Sequence, residues 1–203
     1  MIQVRWGMAE RGDIAALPNS DRLLEAALAC FRQLGTQKAR VEDIAAAAGM
    51  ARTALYRFYP SKRAILAALA ARTLQGDEAR LAELARDRDR SPAARLKALL
   101  LAEAECLRLL LADRVLAEVL GAAMQDSGDV WEQHRRGLRA LYAGVIRDGQ
   151  RAGRFRSGNS EALAQTVEDM SHPLHDPRIL LESGPREMAL ASAAADWLEK
   201  RAR

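Results

Sequence analysis

Cysteine occurs only twice in the 203 residues, at Cys30 and Cys106. The two lie far apart, with neither the C-x-x-C nor the Cys/His spacing of a zinc site, and each falls in a helical pattern, where a free thiol behaves as a small hydrophobe. A disulfide framework is therefore not expected, and a reducing cytoplasm fits better. Aromatic residues are scarce at 4% and prolines number 6. Alanine and leucine recur instead, and they favour helices while marking strands poorly, so the expected class is all-α. No apolar run approaches the ~18 residues needed to span a bilayer, and no membrane contact is expected. Residues 1–12 carry Arg5, Glu10 and Arg11 and no apolar core of a secretory signal, which again points to the cytoplasm. With 49% apolar and 29% charged residues, the composition is globular rather than disordered.

The formal net charge is only +4, but it is unevenly placed. Residues 1–75 hold 11 Lys/Arg against 6 Asp/Glu, a surplus of five, whereas the remainder holds 20 against 21. All of the excess positive charge belongs to the first third, which suggests a polyanionic partner for that part.

Residues 1–19 show no periodicity and read as a flexible arm ending in Leu17-Pro18-Asn19-Ser20. From Asp21, apolar residues recur at helical spacing through Phe31 and Leu34, and Gly35 supplies a C-cap. Two short helices are expected at Val41 to Ala48 and about Arg52 to Tyr59. Pro60-Ser61 then breaks the chain, and Ser61 caps a long helix that fades into Arg86–Arg90. Ser91-Pro92, Asp113 and Asp129 each open a further helix. Two last ones are expected from Ser160 to about His172 and from Arg186 to Arg201. That makes about nine helices.

The window V-E-D-I-A-A-A-A-G-M-A-R-T-A-L-Y-R-F, residues 41–58, meets the needs of two short helices crossing steeply. Ala45 is small where the backbones approach, Gly49 can take positive φ in the turn, and Ile44, Ala48, Met50, Leu55 and Phe58 supply apolar facing sides. Arg52, Thr53, Tyr56 and Arg57 are left on the outer face. A second helix of this kind lies in the major groove of DNA. Arg52 or Arg57 can reach guanine O6/N7 bidentately, and Thr53 can meet a thymine methyl. Tyr56 and Lys62 suit phosphate oxygens, which fix register rather than sequence. The competing reading is an αα-corner inside an ordinary helical domain.

Residues 22–35 (R-L-L-E-A-A-L-A-C-F-R-Q-L-G), 41–49 (V-E-D-I-A-A-A-A-G) and 54–66 (A-L-Y-R-F-Y-P-S-K-R-A-I-L) together resemble the TetR family of transcriptional regulators. The stretch Ile146 to Phe155 is similar to the I-x-x-G-x-x-x-G-x-F turn of that family's regulatory domains. The resemblance implies a three-helix DNA-binding domain at 20–66, following an arm at 1–19. It also implies a larger helical effector-binding and dimerisation domain at 67–203. The partners it implies are double-stranded DNA, a small-molecule effector and a second copy of the chain. By position the DNA contacts would be Arg52, Thr53, Tyr56 and Arg57, with Lys62 on phosphate. Three departures stand out. Arg40 replaces the Ser or Thr that usually opens the second helix, Ala51 replaces the Ser that opens the third, and Thr53 stands where Gly is frequent. Arg40 thus offers DNA a charge in place of a hydroxyl.

In the helix from Asp129, Trp131, His134, Leu138, Tyr142 and Val145 share one face. With Cys106, Leu110 and Met124 they are candidates to line a pocket for a small, mostly apolar effector, against the plainer reading of a packed core with a satisfied histidine. His172, His175 and Asp176 flank prolines, where histidines complement a helix end, and no metal is expected of them. Glu168 and Asp169 read as solvated helix charges. Leu163, Val167, Met170, Leu190, Ala194 and Trp197 are apolar positions on the final helices, and the resemblance assigns them to a homodimer interface. No nucleophile–base arrangement, phosphate loop or metal cluster is visible, so neither a cofactor nor enzyme activity is expected. The expected function is a sequence-specific regulator, a repressor released from a pseudo-palindromic operator by its effector. The alternative is an all-α binding protein or enzyme that uses the helix-turn-helix only as scaffold.

Overall fold

The computed structural model describes residues 19–126, 129–175 and 187–199, and every extended element among them is helical apart from one isolated bridge between Phe155 and Glu199. The order is α1 (Asn19–Leu34), α2 (Val41–Ala47), α3 (Arg52–Phe58), α4 (Lys62–Arg86), α5 (Pro92–Ala112), α6 (Arg114–Asp126), α7 (Asp129–Arg151), α8 (Ser160–Met170), the single turn α9 (His172–His175) and α10 (Glu187–Leu198). The all-α class and the order of the nine expected helices are those found, and the single turn α9 is added after α8, which ends at Met170 rather than near His172. The arm expected at 1–19 lies outside the described residues except for Asn19, which already belongs to α1. The Pro177–Pro185 loop and Asp176 also lie outside them.

The helix boundaries follow local chemistry. Gly35, at φ +83°, ends α1 with its amide on Phe31 O at 2.8 Å. Ser61 Oγ accepts the Ala64 amide at 3.1 Å to start α4, Ser91 Oγ accepts from Ala94 to start α5, and Asp113 Oδ1 accepts from Val115 and Leu116 to start α6. Asn159, rather than Ser160, caps α8 by accepting the Glu161 and Ala162 amides. α3 starts at Ala51 with no side-chain cap, and Ala51 already sits at φ −67°, ψ 144°, the extended geometry a capping residue adopts. Ala51→Ser should therefore stabilise the protein by about 1 kcal/mol in urea unfolding, and an unchanged midpoint would show that the exposed start of α3 gains nothing from a cap.

The chain divides into two compact units. The first takes residues up to Gly76 together with Asp113–Glu132, and the second takes Asp77–Ala112 and residues from Gln133 onward. The first unit is centred on Leu23, Ala27, Phe31, Ile44, Leu55, Ile65 and Leu69, all fully buried. Its elements are cross-tied by polar contacts. Arg72 pairs with the buried Glu25 at 2.9 Å, Arg32 with Asp113 at 2.8 Å, and Thr36 Oγ1 donates to Glu118 Oε2 at 2.5 Å. The second unit packs α10 against α5 and α8 around Leu96, Leu100, Ile146, Phe155, Val167 and Leu198.

Candidate functional site

In the first unit α2 and α3 are joined by a turn in which Gly49 takes φ +64° and the Met50 amide reaches back to Ala45 O at 2.9 Å. Positive φ at this point redirects the chain without the steric cost a side chain would carry. Ile44, Ala45, Ala48 and Leu55 are buried between the helices, and the seven-residue α3 turns only Leu55 fully inward. Arg52, Thr53, Tyr56 and Arg57 occupy the opposite face and are all exposed, as the 41–58 spacing predicts. Phe58 departs from expectation. It stands 43% exposed rather than in the apolar set, because α3 ends there and the chain leaves through Tyr59 and Pro60. The helix-turn-helix therefore shows two aromatic rings, Tyr56 and Phe58, beside two guanidinium groups.

Arg40 lies exposed at the start of α2. The missing hydroxyl cap is replaced from the other direction, because the Asp43 carboxylate accepts the Arg40 amide at 2.8 Å. Lys62 is half-buried at the start of α4, and its Nζ donates to Gln37 O at 2.9 Å in the turn after α1. Burial pulls the Lys62 ammonium below the usual lysine range. Lys62 thus anchors the turn before α2 and keeps two N–H donors for another acceptor.

The second unit contains Cys106, Leu110, His134, Leu138 and Tyr142 of the effector candidates, all buried, while Met124 and Trp131 belong to the first unit and are half-buried. Three of these, Cys106, His134 and Tyr142, bond to polar groups that the sequence reading did not single out. Tyr142 Oη donates to Glu103, His134 Nδ1 meets Glu78 Oε1 at 2.9 Å, and Arg80 donates to Cys106 Sγ. The Cys106 thiol also bonds to the buried Asp77. Burial, then the charge of Asp77, pushes the thiol up to about 12, and burial raises the Asp77 carboxyl. Burial and Glu103 together hold the Tyr142 phenol well above its ordinary value. Each of these groups stays in its neutral form more readily than it would in water.

A sequence signal for this cluster exists. Asp77 falls three residues after Leu74 and four before Leu81, and Glu103 falls three after Leu100 and four before Leu107, so each acid occupies a core position of an apolar stripe. Glu168 needs a correction of the same kind. It is buried rather than solvated, because α8 turns Ala164, Val167 and Glu168 inward, and Arg135 and Arg139 of α7 clamp its carboxylate at 2.5 and 2.6 Å. Asp169 is exposed, as expected, and accepts from Gln165.

Among the dimer candidates, Val167 and Ala194 are fully buried by the chain itself, whereas Leu163, Met170, Leu190 and Trp197 keep exposed surface. Arg156 stacks on the Trp197 ring at 4.3 Å from its centroid. His172 is exposed in the single turn α9. Among the described residues no three His, Cys, Asp or Glu side chains are grouped to hold a metal ion, and no helix is long and apolar enough to cross a membrane.

Comparison with known proteins bears on both units. The family model described as bacterial regulatory proteins, tetR family, matches residues 23–69, and that described as tetracyclin repressor-like, C-terminal domain, matches residues 92–194. No curated protein matches by sequence. Among solved structures, the chain is similar to SmeT, the repressor of the Stenotrophomonas maltophilia multidrug efflux pump SmeDEF, at 23% identity over 93% of each chain with a TM-score of 0.63. A SmeT–triclosan complex matches at 22% identity over 90% of this chain and 92% of that one, with a TM-score of 0.62. FadR from Bacillus subtilis in complex with stearoyl-CoA matches at 18% identity over 89% and 98%, with a TM-score of 0.59. At these identities the likeness is one of fold.

Proposed function

We propose, from the premise that this chain belongs to the TetR family of bacterial regulatory proteins, that it is a cytoplasmic repressor rather than an enzyme. It would bind a pseudo-palindromic operator as a homodimer and leave it when a small effector binds. The observation that carries this reading is the outward face of α3. Four side chains able to read or grip a duplex, Arg52, Thr53, Tyr56 and Arg57, stand exposed over a buried Leu55, and no acid lies within α3. Arg40 and Lys62 flank that face on α2 and α4 and add phosphate contacts.

For the division of labour we keep residues 20–66 as the DNA-binding domain and 67–203 as the effector-binding and dimerisation domain. Leu163, Met170, Leu190 and Trp197 form the dimer face, with Val167 and Ala194 supporting it from beneath. Two copies would place their recognition helices about 34–36 Å apart, or a multiple of that, on successive turns of the duplex. SmeT was solved with triclosan and FadR with stearoyl-CoA. The effector of this chain is by analogy a mostly apolar molecule. Asp77, Glu103 and Tyr142 are buried in the unit that holds five of the effector candidates, so an effector seated there would meet hydrogen-bonding as well as apolar groups.

The test begins with a duplex selected from a random library and compares it with random DNA. Arg57→Ala should cost about 1–3 kcal/mol on the selected duplex and relax its sequence preference. Lys62→Ala should weaken both duplexes alike and flatten the dependence of log affinity on log salt by about one unit. Equal losses on both duplexes for both variants would remove the assignment of α3 as the reading element.

A further inference from the structure

Among the described residues, Glu42 is the acidic group joined to the outer face of α3. The Gly49 turn brings the first turn of α2 beside the first turn of α3, and Glu42 Oε1 accepts from Arg52 Nη1 at 2.8 Å. Neither partner is sequestered, with side chains 47% and 59% exposed. The Arg52 guanidinium lies 5.4 Å from the centre of the Tyr56 ring, and its Nη2 reaches the phenol oxygen at 3.4 Å. The leading cation of α3 is thus held between a carboxylate and a ring.

Helix formation accounts for Glu42 only in part, as one of two acids in the first turn of α2. The backbone amide at the start of α2 is satisfied by Asp43, and Asp43 also places a negative charge in the first turn. A carboxylate that holds a guanidinium on a surface meeting a polyanion keeps that cation from the phosphates of a non-specific complex. An exposed ion pair is also weak enough to open when a better acceptor arrives. A guanine edge is such an acceptor, since O6 and N7 take two N–H groups of one guanidinium in a fixed geometry and carry no net charge to oppose Glu42. A phosphate is a poorer exchange, because its charge must displace a carboxylate and then sit beside it.

We propose that Glu42 is a specificity-determining residue that withholds Arg52 from phosphates and yields it to a base edge. Removing bonds to a wrong partner is a recognised route to discrimination, which is a difference between affinities rather than an affinity. The proposal rests on the DNA-binding reading above and adds a residue that makes no favourable contact with phosphate.

The experiment compares wild type, Glu42→Gln, Arg52→Ala and the double variant on the selected duplex and on a random duplex, by fluorescence anisotropy across a salt series. Glu42→Gln keeps the size of the side chain and removes its charge. Random DNA should bind about fivefold tighter, the scale of one charge contact in water, with a salt slope steeper by about one unit as Arg52 takes up a phosphate. The selected duplex should gain less, so the specificity ratio falls. In the Arg52→Ala background, Glu42→Gln should change random binding by less than about twofold, as expected when the two side chains act on one another. The same gain with and without Arg52 would overturn the proposal, reducing Glu42 to a general negative field. Unchanged or weaker random binding in Glu42→Gln would overturn it as well. A wild-type chain that binds no duplex at any salt would overturn the DNA-binding reading itself, a result distinct from both.

Discussion

Gly149→Ala is expected to cost about 3–5 kcal/mol, although it adds a single methyl group. A Cβ at Gly149 would lie 2.2 Å from Cδ2 of Phe155, 2.6 Å from Cγ and 2.7 Å from Cε2. The ring cannot swing aside, because Phe155 is 1% exposed and its backbone is fixed. The Arg154 and Phe155 amides both donate to Gly149 O, Gly153 turns the chain at φ +66°, and the Arg156 amide donates to Leu198 O. The alanine methyl therefore expels the ring or strains the end of α7, and loss of a buried phenylalanine sets the scale of the cost. In a domain of this size that corresponds to a melting temperature lower by about 10 °C or more. The clash has a signature that ordinary destabilisation lacks. In a Phe155→Ala background Gly149→Ala should cost almost nothing, since the obstructing ring is gone and alanine is the better helix former. Thermal melts of the two single variants and the double variant decide the matter, and additive losses would show that Gly149 is needed for some reason other than its contact with the ring.

This contact also shows what kind of structure the sequence made legible. Ile146, Gly149, Gly153 and Phe155 were readable as a spaced motif, because a glycine under a ring and a glycine at positive φ each leave a residue-type mark at a fixed offset. The helix-turn-helix was readable for the same reason, with Ala45, Gly49 and Leu55 at the spacing its crossing demands. Side-chain pairings between elements leave no such mark. Nothing in the sequence joins Glu42 to Arg52 until the Gly49 turn sets their helices side by side, nor Glu168 to Arg135 and Arg139 until α8 packs on α7. Asp77 and Glu103 were visible as acids in apolar stripes, yet charge on a helix is so commonly solvated that composition alone hid them. Phe58 erred the other way. An aromatic at a plausible core position is exposed because a seven-residue helix has too few turns to bury a second large side chain.

The second large effect is expected at Asp148, where one carboxylate holds a buried cation. Arg95 is almost wholly buried on α5, and its Nη1 donates to Ala85 O at 2.9 Å and to Asp148 Oδ2 at 3.0 Å. Arg88 reaches the same oxygen at 2.6 Å, so two guanidinium groups converge on one acceptor. Asp148→Asn would keep the shape and remove the charge, leaving Arg95 buried with a second cation beside it and its Nε already without a partner. Breaking a buried pair from one side costs about 3–5 kcal/mol at neutral pH, the larger part of it the uncompensated charge. The pH dependence gives an independent check. Burial alone would raise the Asp148 carboxyl, but the hydrogen bonds from Arg95 and Arg88 outweigh it and hold the group below the ordinary aspartate value of 3.8. A group with a lowered folded pKa contributes stability that is present above its unfolded value and is lost as pH falls through the folded one. Wild type should therefore shed this contribution only below about pH 4, whereas Asp148→Asn never has it. Asp77, raised by burial, works in the opposite sense, because its penalty at neutral pH is relieved as the pH falls towards its unfolded value. Urea unfolding at pH 7 and at steps down to pH 3 should show the two proteins furthest apart at neutrality and converging as acid titrates Asp148. A gap that stays constant to pH 3 would mean that Asp148 supports Arg95 by its shape and hydrogen bonds rather than by its charge.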